Sequence, residues 1–176
     1  VYFFPRVFSL ESYKTVFQDK SILTSFGVTI LRPLIGTVVS VFFTAMVGYA
    51  FSKKNIMGNR VYTVIGTVTM FFGGGLIPTF VLFRNMGLYD NFLVYVIPSM
   101  FNFYNMIIFM SFFRGLPAGL EESAKLDGAN DFLIFVKIII PLSMPVIATI
   151  ALFNGVWQWN DYFTGVMYIN NDKLQP

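Results

Sequence analysis

Residues 120–145, LEESAKLDGANDFLIFVKIIIPLSMP, form the one long polar interruption in the otherwise apolar C-terminal half of this chain. Leu120, Ala124 and Asp127 fall at the helical spacing i, i+4 and i+7, which predicts a short helix. Glu121 and Glu122 lie in its first turn, where carboxylates suit the helix dipole. Gly128 follows as a C-terminal stop. The stretch therefore predicts a short polar helix between two apolar segments.

The composition indicates an integral membrane protein. Hydrophobic residues make up 56% of the 176 residues and charged residues only 12%, whereas soluble domains carry about 25% charged residues. The net charge of +3 is small and scattered, which argues against a nucleic-acid partner and leaves membrane lipid as the expected surrounding. Cysteine and histidine are both absent, which removes disulfides, thiolate metal sites and the commonest general base. We therefore predict no catalytic residue, no metal site and no cofactor.

Four apolar runs predict about four transmembrane helices in an all-α, polytopic bundle. A span needs about 20 predominantly apolar residues. The first run, residues 33–52, is expected to continue toward the N-terminus through residues 21–32, with Arg32 either snorkelling to the interface or facing protein. The other three runs are residues 61–83, 92–113 and 138–159.

Glycine, asparagine and proline mark these runs. Residues 73–75 are three glycines, which predict a kink, a break or a close helix crossing; tight packing and a functional hinge both remain open. Asn102 and Asn105 need hydrogen-bond partners and so face protein or a water-filled cavity, through interhelical packing or substrate contact. Pro141 and Pro145 are predicted to bend the fourth run near its start.

A short cationic loop sets the predicted orientation. Lys53, Lys54 and Arg60 lie close together between two runs, which places their loop in the cytoplasm. Alternation of spans then puts residues 114–131 on the same side and residues 84–91 outside. The predicted domains are an extracytoplasmic segment at residues 1–20, a transmembrane domain at residues 21–160 with its cytoplasmic coupling loop at residues 114–131, and a truncated extracytoplasmic loop at residues 161–176.

The spacing within residues 120–145 also carries a resemblance. Glu122-Ser123-Ala124, then Gly128-Ala129, then Ile138 and Pro141 resemble the EAA signature of the permease subunits of binding-protein-dependent ABC importers, written E-A-A-x-x-x-G, nine variable residues, I-x-x-P. Ser123 replaces the usual Ala. The resemblance implies a type I ABC importer permease fold, in which the signature forms a cytoplasmic coupling helix that docks in a groove of the ATPase subunit. The implied ATPase-coupling residues are Leu120, Glu121, Glu122, Ser123, Ala124, Asp127, Gly128, Ala129, Pro141 and Pro145; an ordinary short interfacial helix is the alternative.

Two other stretches resemble the carbohydrate-uptake branch of that family, which includes the smaller maltose-importer membrane subunit. Residues 8–13, FSLESY, with a predicted short helix capped by Ser9, resemble its extracytoplasmic segment before the second span. Residues 74–87, GGLIPTFVLFRNMG, resemble Gram-positive oligosaccharide permeases. The resemblance implies import of a sugar or oligosaccharide across the bacterial plasma membrane by alternating access. The implied partners are a second permease subunit, two ABC ATPase subunits and an extracytoplasmic solute-binding protein. Six spans are implied in a whole subunit, one before Val1 and one after Pro176.

Aromatic and amide side chains that can stack on and hydrogen-bond a sugar are candidates for the substrate pathway: Asn102, Tyr104, Asn105 and Trp157. The chain holds 22 Phe and 9 Tyr, so such combinations also arise by chance. All nine carboxylates lie in predicted loops or interfaces, which disfavours an enzyme or a proton-coupled carrier. A secondary carrier or a non-catalytic membrane scaffold is the remaining alternative, and either leaves the EAA pattern unexplained.

Overall fold

The computed structural model describes residues 20–53 and 56–176, and within those ranges it contains helices, turns and no β-strand. The prediction of an all-α protein is confirmed. The predicted short helix at residues 8–13 lies outside the described residues. The α-helices are α1 (Lys20–Ser52), α2 (Asn59–Thr69), α3 (Leu76–Asn85), α4 (Phe103–Arg114), α5 (Ala118–Leu126), α6 (Asp131–Leu142), α7 (Met144–Asn160) and α8 (Phe163–Tyr168), with 3₁₀ turns at Phe92–Tyr95 and Asp172–Leu174.

Helix α1 is the axis of the described structure. It runs 33 residues without a break, or about 50 Å at 1.5 Å per residue, and is long and apolar enough to cross a membrane. Its main partners are α4 and α7. Its buried residues recur at intervals of four along one face, and the opposite face carries exposed Ile, Leu, Val and Phe. The buried stripe consists of Val28, Arg32, Gly36, Ser40, Thr44 and Gly48.

The prediction of one continuous helix over residues 61–83 and another over residues 92–113 is wrong. The first is broken between α2 and α3, where Gly75 has a φ of +81°, so the three glycines produce a break. The second consists of a 3₁₀ turn followed by irregular chain, and α4 begins only at Phe103. Pro98 offers no N–H to a helix, and the Asn102 side chain accepts a hydrogen bond from the Asn105 N–H at 3.0 Å, which caps a new helix instead.

The fourth predicted run is sharply bent, as expected from its prolines. Helices α6 and α7 meet at 84° around Ser143. Pro141 and Pro145 lie on either side of the bend, and each lacks the N–H that would continue the ladder of i to i−4 hydrogen bonds. A π-helical turn at Phe135–Ile139 widens α6 just before it. Among the described residues, one helix, α1, is long and apolar enough to span a membrane, and the number rises to two if α6 and α7 form one bent span. The sequence predicted four spans.

Two buried clusters mark the two ends of α1. The cluster near Ser52 joins α1 to α4, α6 and α7 and contains Val41, Ala45, Tyr49, Phe109, Phe113, Ile134, Phe135, Ile139 and Ile150. The cluster near Lys20 joins α1 to the 3₁₀ turn and to α8 and contains Val28, Leu88, Val94, Tyr95, Tyr168 and Ile169. We call the first the α5 end, because α5 packs there through Ala124, and the second the Arg32 end.

Candidate functional site

Helix α5 ends in a glycine-dependent turn. Gly128 has a φ of +83°. Its N–H donates to the Lys125 carbonyl at 3.0 Å, and the Ala129 N–H donates to the Ala124 carbonyl at 3.0 Å. This pair of bonds is a Schellman motif, which satisfies the last carbonyls of the helix. The predicted helix and its glycine stop are therefore confirmed, although the helix begins two residues earlier, at Ala118.

The next helix starts almost immediately. The Asn130 side chain accepts a hydrogen bond from the Leu133 N–H at 2.8 Å and caps α6. Only four residues, 127–130, separate α5 from α6, and both the closing and the opening turn are fixed by hydrogen bonds. The two helices are thus joined by a short linker with little freedom to change its angle.

Ion pairs connect α5 and α6 to Lys53, the residue that follows α1. The Lys53 ammonium contacts the Glu121 carboxylate, lies 3.8 Å from Asp131 Oδ1 and donates to the Tyr49 hydroxyl at 2.7 Å. Lys125 Nζ lies 3.1 Å from Asp131 Oδ1. The side chains of Lys53 and Glu121 are 24% and 25% exposed, so water still screens the pair, which stabilises by at most about 1 kcal/mol.

The other side of α5 has no such contacts in the described structure. Glu122 and Ser123 are exposed, and Leu126 is 90% exposed, while Ala124 and Ala129 pack against the buried cluster. Glu122, Ser123 and Leu126 together form an exposed surface on this side of α5. Beside it lies a groove of about 340 Å³ lined by Ala124, Asp127, Gly128, Ala129, Leu133, Ile134, Lys137 and Ile138.

The structure groups most, but not all, of the predicted coupling residues. Eight of them, from Leu120 to Ala129, lie on α5 and its closing turn. Pro141 lies in the last turn of α6 and Pro145 in the first turn of α7, on either side of the bend. Pro141 lies ten residues after Asp131, the first residue of α6, which corresponds to about 15 Å. The two prolines therefore belong to a separate joint rather than to the α5 surface.

The four substrate-pathway candidates do not form one cluster. Asn102 caps α4 with its side chain, Asn105 is buried and Tyr104 is exposed. Trp157 lies elsewhere, beside a cavity of about 90 Å³ that it shares with Tyr95, Ser99 and Asp161 among others. The Asn102 N–H donates to Thr44 Oγ1 of α1, whereas Tyr95, which lines the same cavity as Trp157, contacts Arg32 of α1. Thr44 and Arg32 are twelve residues apart along the helix, or about 18 Å.

The polar cluster around Arg32 was not predicted. Arg32 is only 2% exposed, and its Nη2 lies 3.2 Å from Asp161 Oδ2 and donates to the Gln158 and Asp161 carbonyls. Its guanidinium lies 4.7 Å from the centroid of the Tyr95 ring. Gln158 Nε2 donates to Ser99 Oγ at 2.8 Å and to the Tyr95 carbonyl at 3.3 Å. A lone cation in an apolar run is a signal for such a site, but it does not identify the partners.

Known proteins resemble the chain over nearly all of its length. Residues 41–175 match the family described as binding-protein-dependent transport system inner membrane component. The polygalacturonan/rhamnogalacturonan transport system permease protein YtcP of Bacillus subtilis is 41% identical over 98% of this chain and 60% of its own length. Protein LplC of the same organism is 41% identical over 99% of this chain and 59% of its own.

A solved structure shares the fold. It is a crystal structure of a bacterial ABC transporter involved in the import of the acidic polysaccharide alginate, with 37% sequence identity and a TM-score of 0.91 over 98% of this chain and 61% of that one. The chain thus spans about 60% of the length of these relatives. Together with the match over residues 41–175, these likenesses show that the chain belongs to the family of binding-protein-dependent transport system inner membrane components.

Proposed function

We propose that this chain is part of a transmembrane permease subunit of a bacterial ABC importer that translocates a sugar or oligosaccharide by alternating access. The family supports the transport role. The substrate class is supported by the names of its relatives, since YtcP is named for polygalacturonan and rhamnogalacturonan transport and the similar structure for alginate import. The subunit itself hydrolyses no ATP; that step belongs to a partner.

The proposed protein is a multi-pass component of the plasma membrane, with the α5 end in the cytoplasm and the Arg32 end outside. Lys53 directly follows α1, and both Arg114 and the Asn59 side chain, next to Arg60, donate to the Phe51 carbonyl at that end of α1. These cations therefore lie at the α5 end, and positive charge in short loops favours the cytoplasmic side. In this arrangement residues 114–131 are the cytoplasmic loop and residues 161–176 lie outside. The proposed assembly contains a second permease subunit, two ABC ATPase subunits and an extracytoplasmic solute-binding protein.

The observation that carries the proposal is the two-sided character of α5. One side is held to the protein by the Lys53–Glu121 contact and by Ala124, while Glu122, Ser123 and Leu126 are left exposed on the other. We infer that this exposed side docks on an ATPase subunit. A push on it passes through the turn at Gly128 into α6, and then through the bend at Ser143 into α7.

A single introduced cysteine tests the docking, because the chain contains no cysteine of its own. In the full-length permease, Leu126→Cys is expected to react with a maleimide when the ATPase subunit is absent and to be protected when it is bound. Met57→Cys is the matched control, since Met57 is 93% exposed in a different loop at the same end. Full labelling of Leu126→Cys in a complex that hydrolyses ATP would remove the support for α5 as the coupling helix.

A further inference from the structure

Four charged side chains form one ion-pair network at the α5 end. Lys53, directly after α1, contacts Glu121 of α5 and lies 3.8 Å from Asp131 Oδ1 of α6. Lys125 of α5 lies 3.1 Å from the same oxygen. Lys53 therefore has one carboxylate of α5 and one of α6 within reach at the same time.

The same four charges can also pair in a second way. In the observed pairing, the main partner of Lys53 is Glu121, and Asp131 is left to Lys125. In the alternative pairing, Lys53 binds Asp131, and Lys125 binds Glu121, which lies four residues before it on α5. A glutamate four residues N-terminal to a lysine is the favourable order for an ion pair on one helix. Both pairings therefore leave every charge of the network with a partner.

The exposure of the network makes the exchange inexpensive. Lys125 and Asp131 are exposed, and Lys53 and Glu121 are partly exposed. Water screens each of these pairs and solvates a charge while it changes partner, so no single pair is strong. A small movement of α5 away from α1 therefore breaks one weak contact, and the carboxylate that is released finds a lysine on its own helix.

The ammonium group of Lys53 is held at the end of α1 by a tyrosine. It donates to the Tyr49 hydroxyl at 2.7 Å and lies 4.2 Å from the centroid of the Tyr49 ring. Tyr49 is itself buried and stacks on Phe135 of α6, with 5.4 Å between the ring centroids. The cation thus keeps its position on α1 while its carboxylate partner changes.

We propose that this network exchanges partners during transport and is a releasable link between α1 and α5. In the observed pairing, Lys53 ties α5 to the end of α1 through Glu121. In the alternative pairing, Lys53 binds α6 through Asp131, and α5 leaves α1 without an unpaired charge. Lys53 is a positioning residue in this scheme, since it acts through α5. The inference rests on the proposed function, because α5 has to move only if an ATPase subunit drives it.

A paired exchange of charges distinguishes a releasable link from a static one. Lys53→Glu combined with Glu121→Lys restores the observed pairing with reversed signs, but it makes both contacts of the alternative pairing repulsive. A static ion pair tolerates this double variant, whereas a releasable link stays closed. We expect ATP hydrolysis to slow about tenfold, because two attractions of the alternative pairing become repulsions. The melting temperature should change by less than about 3 °C.

Two further variants with the same net charge complete the set. Lys125→Glu combined with Asp131→Lys also keeps the observed pairing and makes the alternative one repulsive, so a similar loss is expected. Combining all four substitutions makes both pairings attractive again and should restore most of the activity. The fourfold variant is the matched control, because it carries every reversed charge of the two double variants.

The measurement is the rate of ATP hydrolysis by the full-length importer, assembled with its ATPase subunits and solute-binding protein in lipid nanodiscs. Rates are compared at equal amounts of bound ATPase subunit, which separates an effect on the cycle from an effect on docking. If the fourfold variant does not assemble, the two double variants decide, because each retains the observed pairing.

Normal hydrolysis in either double variant overturns the inference, because the observed pairing is then sufficient and the ion pair is a static brace. A fourfold variant that assembles but stays as slow as the double variants also overturns it, because the signs at individual positions then matter and the pairing does not. Wild-type activity separates the two proposals. A wild-type importer that hydrolyses ATP while the double variants match it loses the releasable link and keeps the proposed function, whereas a wild-type assembly without hydrolysis removes both.

Discussion

The two ends of α1 each hold a cation against a carboxylate from a distant part of the chain, but their surroundings differ. At the Arg32 end, the side chains of Arg32 and Asp161 are 3% and 14% exposed. At the α5 end, Lys53 and Glu121 are 24% and 25% exposed. Water can replace a lost partner at the α5 end but not at the Arg32 end. The comparison teaches that α1 has one fixed end and one that can rearrange, and the rearranging end is the one beside the proposed coupling helix.

The largest effect expected is an all-or-none difference in chemical labelling of the two ends. Met86 is exposed and lies two residues before Leu88, which belongs to the buried cluster at the Arg32 end. Leu126 is exposed at the α5 end. In intact cells a membrane-impermeant maleimide should label Met86→Cys and not Leu126→Cys. Labelling of Leu126→Cys alone would reverse the orientation and, with it, the assignment of the coupling surface.

Removing one carboxylate at each end should cost very different amounts of stability. Asp161→Ala leaves Arg32 buried without its counter-ion, which is expected to lower the free energy of unfolding by about 3–5 kcal/mol. Glu121→Ala leaves Lys53 in contact with water and should cost less than about 1 kcal/mol. Thermal unfolding of the full-length protein in detergent measures both. Similar losses in the two variants would mean that the ends do not differ as described.

Two glycines with positive φ provide the next comparison. Gly128 closes α5 with a φ of +83°, and Gly87 follows α3 with a φ of +71°. A Cβ would meet nothing within 4 Å at either position, so valine strains only the backbone, by about 1–2 kcal/mol. Gly128→Val should reduce uptake roughly 5- to 30-fold if that strain opposes docking, whereas Gly87→Val should change stability but not uptake. Insertion into the membrane, measured by fractionation, should stay normal in both.

The smallest expected effect is the response of the Lys53–Glu121 pair to salt. Glu121→Gln should lower stability by about 0.2–1 kcal/mol at low ionic strength, and the difference from the wild type should shrink as salt is added. The control is Asp161→Asn, whose stability difference should hardly depend on salt because Arg32 is shielded from the solvent. A salt-dependent difference at Asp161 and none at Glu121 would contradict the assignment of fixed and rearranging ends.

Features that depend on neighbouring residues could be predicted from the sequence. The α5 helix, its stop at Gly128 and the bend at Pro141 and Pro145 all follow from local rules of capping and of proline geometry. Apolar runs were less informative: residues 61–83 and 92–113 have the composition of spans, but composition does not show where the backbone hydrogen bonds stop. At residue 102 the asparagine side chain starts a new helix, and hydropathy does not report that event.

Contacts between distant residues could not be predicted. The sequence indicated that Arg32 snorkels or faces protein, and it does face protein, yet its partner Asp161 lies 129 positions away and was one of nine carboxylates. Likewise, Lys53 was interpreted only as an orientation signal, although it contacts Glu121, 68 positions away. Choosing among such partners requires the packing of α1 against α7 and α5, which a single sequence does not contain.

The 84° angle between α6 and α7 has a mechanical consequence. The two helix axes are nearly perpendicular. A displacement along the α6 axis therefore moves the Met144 end of α7 sideways, with almost no component along the α7 axis. In the proposed membrane arrangement, α7 therefore swings without being pushed through the bilayer, so its apolar side chains keep their depth and meet no new water. A displacement of α5 would then tilt α7 against α1. The free energy needed to expose apolar side chains to water would not oppose this movement.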